Sequence, residues 1–224
     1  MIIRYTYENG DKYKGEFQGG KRNGVGTYKF KEGDMHTGNW INNKMNGYGL
    51  LAFSNRNEYN GNFYKNKANG KGEYLFRNGD KYVGDWLDSE MTGNGIMYFK
   101  NKNRYEGKFL KGKFHGYGKF IFYMDCERYE GEYENGKKNG KGVYHYRNGD
   151  RYEGSFLDNK RHGYGVVWYI DGSRYEGNFE NDIANGKGKF YFTNGDIYNG
   201  DMLNNEMTGL GVYHFKKGSR YEGK

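Results

Sequence analysis

Between Tyr129 and Tyr146 the chain reads YEGEYENGKKNGKGVYHY, two short runs in which large apolar residues alternate with polar ones. Tyr129, Gly131 and Tyr133 share one side of the first run; Gly140, Gly142, Tyr144 and Tyr146 share one side of the second. A period of two marks a β-strand, so the stretch predicts a β-hairpin. Counting Tyr129 as position 0, glycines stand at positions 2, 11 and 13 and large apolar residues at 0, 4, 15 and 17. The implied register sets 0 against 15, 2 against 13 and 4 against 11, with a six-residue loop from Glu134 to Asn139. It places Gly131 across from Gly142, a bare track that an aromatic ring from a neighbouring strand is expected to cover.

The pattern begins again at Tyr13, His36, Tyr59, Tyr82, Tyr105, Tyr129, Tyr152, Tyr175 and Tyr198, a period of 23 residues with one step of 24 before Tyr129. Partial copies occupy residues 1–12 and 221–224, so residues 1–224 read as one continuous array, expected to be a fragment of a longer one. Between repeats, Asn-Gly-Asp at 9–11, 78–80, 148–150 and 194–196 signals a hairpin turn. The spacing fits a type I turn followed by a left-handed glycine. Helix is excluded by the glycine density and the missing 3.6 period. The fold class is therefore all-β: an elongated, strongly twisted, single-layer antiparallel meander of β-hairpin repeats without helix. It has roughly 20 strands and a length of about 90 Å at about 4.8 Å per strand.

Two irregularities mark the array. The turn from Tyr123 to Arg128 is one residue longer and lacks glycine, which predicts a bulge or bend there. Glu90-Met91-Thr92-Gly93 recurs as Glu206-Met207-Thr208-Gly209, and Ala68-Asn69-Gly70 as Ala184-Asn185-Gly186. Both pairs lie five repeats apart, the mark of a duplicated block.

Composition explains why such a chain orders. Hydrophobic residues make up only 34%, yet 19% of residues are aromatic and their placement is periodic. Order then comes from stacking repeats rather than from one central core. A single Cys126 excludes an internal disulfide and fits a reducing compartment, and no apolar run is long enough for a membrane helix. The chain is thus expected in the cytoplasm. The net charge of +8 permits acidic partners.

The pattern Y-x-G-x-[FW]-x6-G-x-G-x-[YF]-x-[FY], with all three glycines kept in nine full copies, resembles the MORN repeat (membrane occupation and recognition nexus). The resemblance covers essentially the whole chain. It implies a β-hairpin rod without enzymatic activity, of the kind that serves as a scaffold between cytoskeleton and membrane or in ciliary radial-spoke heads. It also implies two modes of contact: membrane lipid, and helical or extended protein segments on an aromatic groove.

Two surfaces are candidates. A single-layer sheet is expected to leave one aromatic face open to a protein segment. Trp40, Tyr59, Phe63, Tyr82, Trp86, Met97, Tyr105, Phe109, Tyr152 and Met202 then line a partner groove. Of its 36 ring positions 31 are Phe, Tyr or Trp, the exceptions being His36, Leu51, Met97, Val167 and Met202. The competing reading is that these rings only pack on one another. The second surface is the edge at position 8, where Lys21, Lys44, Lys67, Lys113, Lys137 and Lys160 form a basic row suited to anionic lipid or an acidic partner, or simply to keeping the edge solvated. The Glu residues of Tyr-Glu-Gly are expected to be cross-strand partners of basic residues.

No catalytic, cofactor or metal constellation emerges: His36, His115, His145, His162 and His214 are scattered, and Gly-Lys-Gly lacks the helix a phosphate cradle needs. Nucleic acid is disfavoured because rings and lysines lie apart. The reading is a protein-binding scaffold linking cytoskeletal or axonemal components and membrane-associated structures. The alternatives are an anionic-membrane or phosphoinositide module, and a regulatory array beside an enzyme domain. Open edge strands suggest homodimers or end-to-end association.

Overall fold

The computed structural model describes residues 2–223; Met1 and Lys224, in the two partial copies, lie outside them. Twenty strands, from Ile2–Thr6 to Arg220–Gly223, form an open antiparallel sheet of consecutive hairpins, with no helix among the described residues. The chain divides into two compact units, residues 1–113 and 114–224, and the same hairpin recurs in each. The division falls inside the repeat that begins at Tyr105, where the sequence offers no boundary.

Lys12–Gln18 and Lys21–Lys29 show how a repeat folds. Tyr13 pairs with Tyr28 and Gly15 with Gly26, as the sequence predicts, but Phe17 pairs with Arg22 and not with Gly24. Position 4 therefore faces position 9 inside a hairpin. A β-bulge after position 2 makes the difference, and it recurs in the second unit between Gly154 and Phe156. The position-11 glycine meets position 4 of the next repeat instead, as Gly24 meets Trp40. The glycines thus fall into two kinds. Those at position 11 adopt φ from +57° to +97° in all nine repeats, left-handed values that side-chain-bearing residues rarely take.

The six-residue loop is a two-residue turn. In repeat 129 it is Asn135-Gly136, and the strands run on to Glu134 and from Lys137. Both turn residues have positive φ throughout, 48–58° at the first and 67–87° at the second, as in a type I′ turn, which explains the Asn, Asp and Gly found there. The second turn residue also staples repeats: Asn43 Oδ1 accepts the Arg22 N–H at 2.8 Å, and Asn159 Oδ1 that of Lys138 at 2.8 Å. At the opposite edge the expected type I turn with left-handed glycine is present. Gly10 donates to the Tyr7 carbonyl at 3.0 Å with φ +92°. Asp11 Oδ1 reaches across to accept the Lys31 N–H at 2.8 Å, and Asp150 does the same for Ile170.

The odd turn before Tyr129 produces no bulge. Gly116–Phe122 and Glu127–Tyr133 pair without a shift, and the extra residue is absorbed in a four-residue turn where Cys126 takes φ +56°. The ladder stays regular because an even loop closes this longer step as well as an odd one closes the others. The five-repeat duplication has a physical counterpart. Asp85 pairs with Thr92 and Asp201 with Thr208, a closer bulge than elsewhere, and Lys71 and Lys187 bind those aspartates at 2.5 and 2.6 Å.

Candidate functional site

The tyrosine at position 0 does not stand up from the sheet but lies down along it. A Cβ built on Gly26 would meet the Tyr13 hydroxyl at 2.2 Å, and one on Gly165 would meet that of Tyr152 at 2.4 Å. Each such ring covers the glycine two residues along its own strand and the one facing it on the paired strand, as Tyr13 covers Gly15 and Gly26, so the expected cross-strand cover is present within the hairpin. Each of the eight tyrosines donates its hydroxyl to the carbonyl of position 3, at 2.8–3.3 Å. Burial pushes the phenols of Tyr59 and Tyr175 up to about 12, so they remain donors at any ordinary pH.

Position 4 links the repeats. Phe156 meets Tyr152 of its own repeat at 5.1 Å and Tyr129 of the preceding one at 5.0 Å, both edge to face. Trp40 and Trp86 add Nε1–H hydrogen bonds to the carbonyls of Gly26 and Gly72, at 3.1 and 3.2 Å. A single layer can bury one face this way because the rings lie flat over glycine and tile edge to face.

The residues of the expected groove lie within this ring layer. Trp40, Tyr59, Phe63, Tyr82, Trp86, Met97, Tyr105, Phe109, Tyr152 and Met202 are all buried, at most 8% exposed, so they form a floor rather than exposed anchors. The row at position 17 stays half-exposed, Phe30, Phe53 and Phe76 in the first unit, Tyr146, Tyr169 and Phe192 in the second, as do some position-15 rings, Tyr74 and Phe190 among them. The sequence shows these rings but gives them the same face and rank as the others. The partial exposure of the position-17 rings follows from their place beside the turns, where no glycine track lets a ring lie down.

His36 stands where the other repeats have tyrosine. It is fully buried, its ring nitrogens make no hydrogen bond of ordinary geometry, and burial lowers its pKa from 6.5 to about 4. The neutral ring is the one that folds. Stability from this site is complete above the unfolded pKa and declines as pH falls from about 6.5 toward 4, at roughly 1.4 kcal/mol per pH unit within that window. In urea titrations at pH 7 and pH 4.5, His36→Tyr is expected to lose less stability on acidification than the parent. An equal loss in both would show that His36 is not the titrating group.

The six lysines Lys21, Lys44, Lys67, Lys113, Lys137 and Lys160 are exposed at the start of strands, beside the two-residue turns. Two are partly neutralised, Lys67 by Asp88 at 3.3 Å and Lys137 by Asp158 at 2.8 Å. The Tyr-Glu-Gly carboxylates pair mostly along their own strand, as Glu106 with Arg104 at 2.6 Å and Glu176 with Arg174 at 3.2 Å; Glu130 with Lys119 at 4.0 Å is the cross-strand case. On the face away from the tyrosines each unit carries a shallow groove over its glycine track, edged by Tyr48, Val83 and Ile96 in the first and by Tyr117, Tyr164 and Trp168 in the second. No cluster of three metal-ligating side chains occurs among the described residues.

Nine successive segments, from 13–35 to 198–220, match the family model of the MORN repeat. Among solved structures, the fold is similar to the TCP10 domain of Danio rerio CPAP in complex with a peptide of Danio rerio STIL. The TM-score is 0.51 at 11% identity, covering 100% of this chain and 99% of that one. The same domain without the peptide gives 0.49 at 13% identity, covering 89% and 94%. The TCP domain of Drosophila melanogaster SAS-4 with a proline-rich motif of Ana2 gives 0.45 at 13% identity, covering 69% and 84%. No curated protein sequence matches the chain.

Proposed function

The chain belongs to the MORN-repeat family, and on that premise we propose that it is a non-enzymatic scaffold that holds other proteins on the aromatic face of each unit. The observation that carries this reading is the half-exposed ring row at position 17, which stands beside the buried rings of position 0 together with half-buried position-15 rings such as Tyr74 and Phe190. Rings recur every second strand, about 10 Å apart. Seven residues of helix rise about 10.5 Å, so an amphipathic helix with one apolar residue per two turns meets successive rings. A polyproline II segment, with three residues per turn and about 3.1 Å per residue, meets them at every third residue. The ten buried residues beneath would set the shape of this surface without touching the occupant. The similar fold that carries a peptide supports the same use. We place the scaffold in the cytoplasm, between cytoskeletal or axonemal components and membrane-associated structures.

The test compares capture from native lysate by the parent chain, by a ring variant (Phe53→Ala, Phe76→Ala, Tyr169→Ala, Phe192→Ala) and by an edge variant (Lys21→Glu, Lys44→Glu, Lys160→Glu), each with its strand signal retained. Phosphoinositide vesicles at about 0.15 M salt run in parallel. Loss of a cytoskeletal partner only in the ring variant supports the scaffold. Loss of vesicle binding only in the edge variant, with no protein partner in any sample, would replace it with the anionic-membrane reading, for which the six exposed lysines speak.

A further inference from the structure

One position breaks the ring lattice of the second unit. At position 15 the repeat that starts at Tyr152 carries Val167, where the repeats on either side carry Tyr144 and Phe190. Three interactions that other repeats make are missing there. First, position-17 rings elsewhere rest on the position-15 ring of the next repeat, as Phe122 on Tyr144 at 6.1 Å and Phe192 on Tyr213 at 5.4 Å, whereas the next repeat offers Tyr146 no such ring and it keeps only its contact with Tyr144 of its own repeat at 4.6 Å. Second, the position-9 cation elsewhere stacks on its own position-15 ring, Arg22 on Tyr28 at 4.4 Å and Lys138 on Tyr144 at 4.5 Å. Arg161 has no such ring and lies instead over Phe179 at 4.9 Å and Tyr152 at 5.6 Å, with its Nε 3.4 Å from Asp182 Oδ1. Third, the turn carboxylate elsewhere accepts a tyrosyl hydroxyl, Asp11 from Tyr28 at 2.5 Å and Asp196 from Tyr213 at 3.2 Å. Asp150 Oδ2 accepts only from Asn148, at 2.8 Å.

Beside this position lies an open groove of about 590 Å³ lined by Tyr146, Tyr169, Arg147, Arg161, Asp150 and Glu127, together with the buried Val167. We propose that this notch receives the side chain of an unphosphorylated tyrosine from a partner protein. Its ring would take the vacant lattice place between Tyr146 and Tyr169, with its hydroxyl donating to Asp150. The repeats themselves supply the template, since in neighbouring repeats a built-in tyrosine makes the same contacts. The contact needs the phenol's own proton, because the hydroxyl donates to Asp150, so a phosphorylated ring cannot make it even though Arg147 and Arg161 also line the notch. Leu51 and Met97, the other non-aromatic residues at position 15, have longer side chains than valine. As a partner contact the notch rests on the scaffold reading; as a phenol site it does not.

The probe is p-cresol, the tyrosine side chain capped at Cβ, titrated into the isotope-labelled full chain and followed by amide shifts. An eight-atom ligand held by stacking and one hydrogen bond is expected to saturate in the millimolar range. Shifts are expected at Val167 and Ile170, several-fold weaker binding in Asp150→Asn, and none in Val167→Tyr, which fills the notch itself and is expected to raise the thermal midpoint. Absence of a saturable response by about 20 mM, shifts that persist in Val167→Tyr, or a lower midpoint in that variant would each overturn the proposal. Because the probe needs no partner, p-cresol binding beside a failed protein capture would sink the scaffold and leave the notch.

Discussion

Replacing Gly165 by alanine is expected to destabilise the second unit by about 3 kcal/mol. The added methyl would lie 2.4 Å from both Cε2 and the hydroxyl of Tyr152, a ring with no exposed surface. That ring cannot yield by a small tilt. Its hydroxyl is tied to the Ser155 carbonyl at 2.9 Å, and its edges are gripped by Phe156 and Phe179 at 5.1 and 5.2 Å. Lifting it off the sheet breaks the hydrogen bond and both ring contacts and exposes the glycine track. Gly172→Ala is the control: nothing lies within 4 Å of its added methyl, so only its left-handed φ of +90° resists, at about 1 kcal/mol. Urea titration with amide exchange read across residues 152–179 measures both. If Gly165→Ala cost no more than Gly172→Ala, the tyrosines would be free to leave the sheet and the flat-ring account would be wrong.

The same pair of glycines shows where sequence reading stops. Alternation and spacing place Gly165 opposite Gly154 and Tyr152 opposite Val167, and the structure keeps both pairings. They do not separate Gly165 from Gly163, which looks identical in the repeat but has φ +71° and serves the bulge. A two-residue slip in pairing, Phe156 against Arg161 instead of Gly163, keeps every side chain on its face and is invisible to a pattern that asks only which side a residue faces. The pattern makes the loop longer than it is for a related reason. Lys, Asn and Gly look like loop residues, yet in Lys137–His145 the strand begins at the first lysine because its backbone pairs while its side chain is in water. Legibility was poorest for the candidate site. Identity told which side the rings share but not that rings at positions 0 and 4 lie down, because that depends on χ angles and on a glycine two residues along the same strand. The opposite-face grooves and the Val167 notch were missed altogether, although the single valine in a column of larger residues was the available signal.

Trp86→Ala is expected to cost the first unit about 3–5 kcal/mol, the usual toll of removing a large aromatic side chain from a packed site. The indole is 7% exposed and touches three rings, Tyr59 at 5.1 Å, Tyr82 at 5.4 Å and Tyr74 at 5.8 Å, which belong to two successive repeats. Alanine leaves a gap between those repeats and an unanswered carbonyl at Gly72, to which Nε1–H donates at 3.2 Å. Trp86→Phe separates the two effects: it keeps a ring in place, as Phe109 does one repeat later, and gives up the hydrogen bond, so about 1–2 kcal/mol is expected. Urea titration and exchange protection of the amides around Gly72 read both variants. The result also decides how binding data on this protein are to be understood. A tryptophan that holds two repeats together abolishes binding by disordering the surface above it, so a loss of partner in Trp86→Ala says nothing about contact unless Trp86→Phe loses it too. Should Trp86→Ala instead cost less than about 1 kcal/mol and still remove a partner, the indole would be an anchor after all, and the working surface would lie at position 4 rather than at position 17.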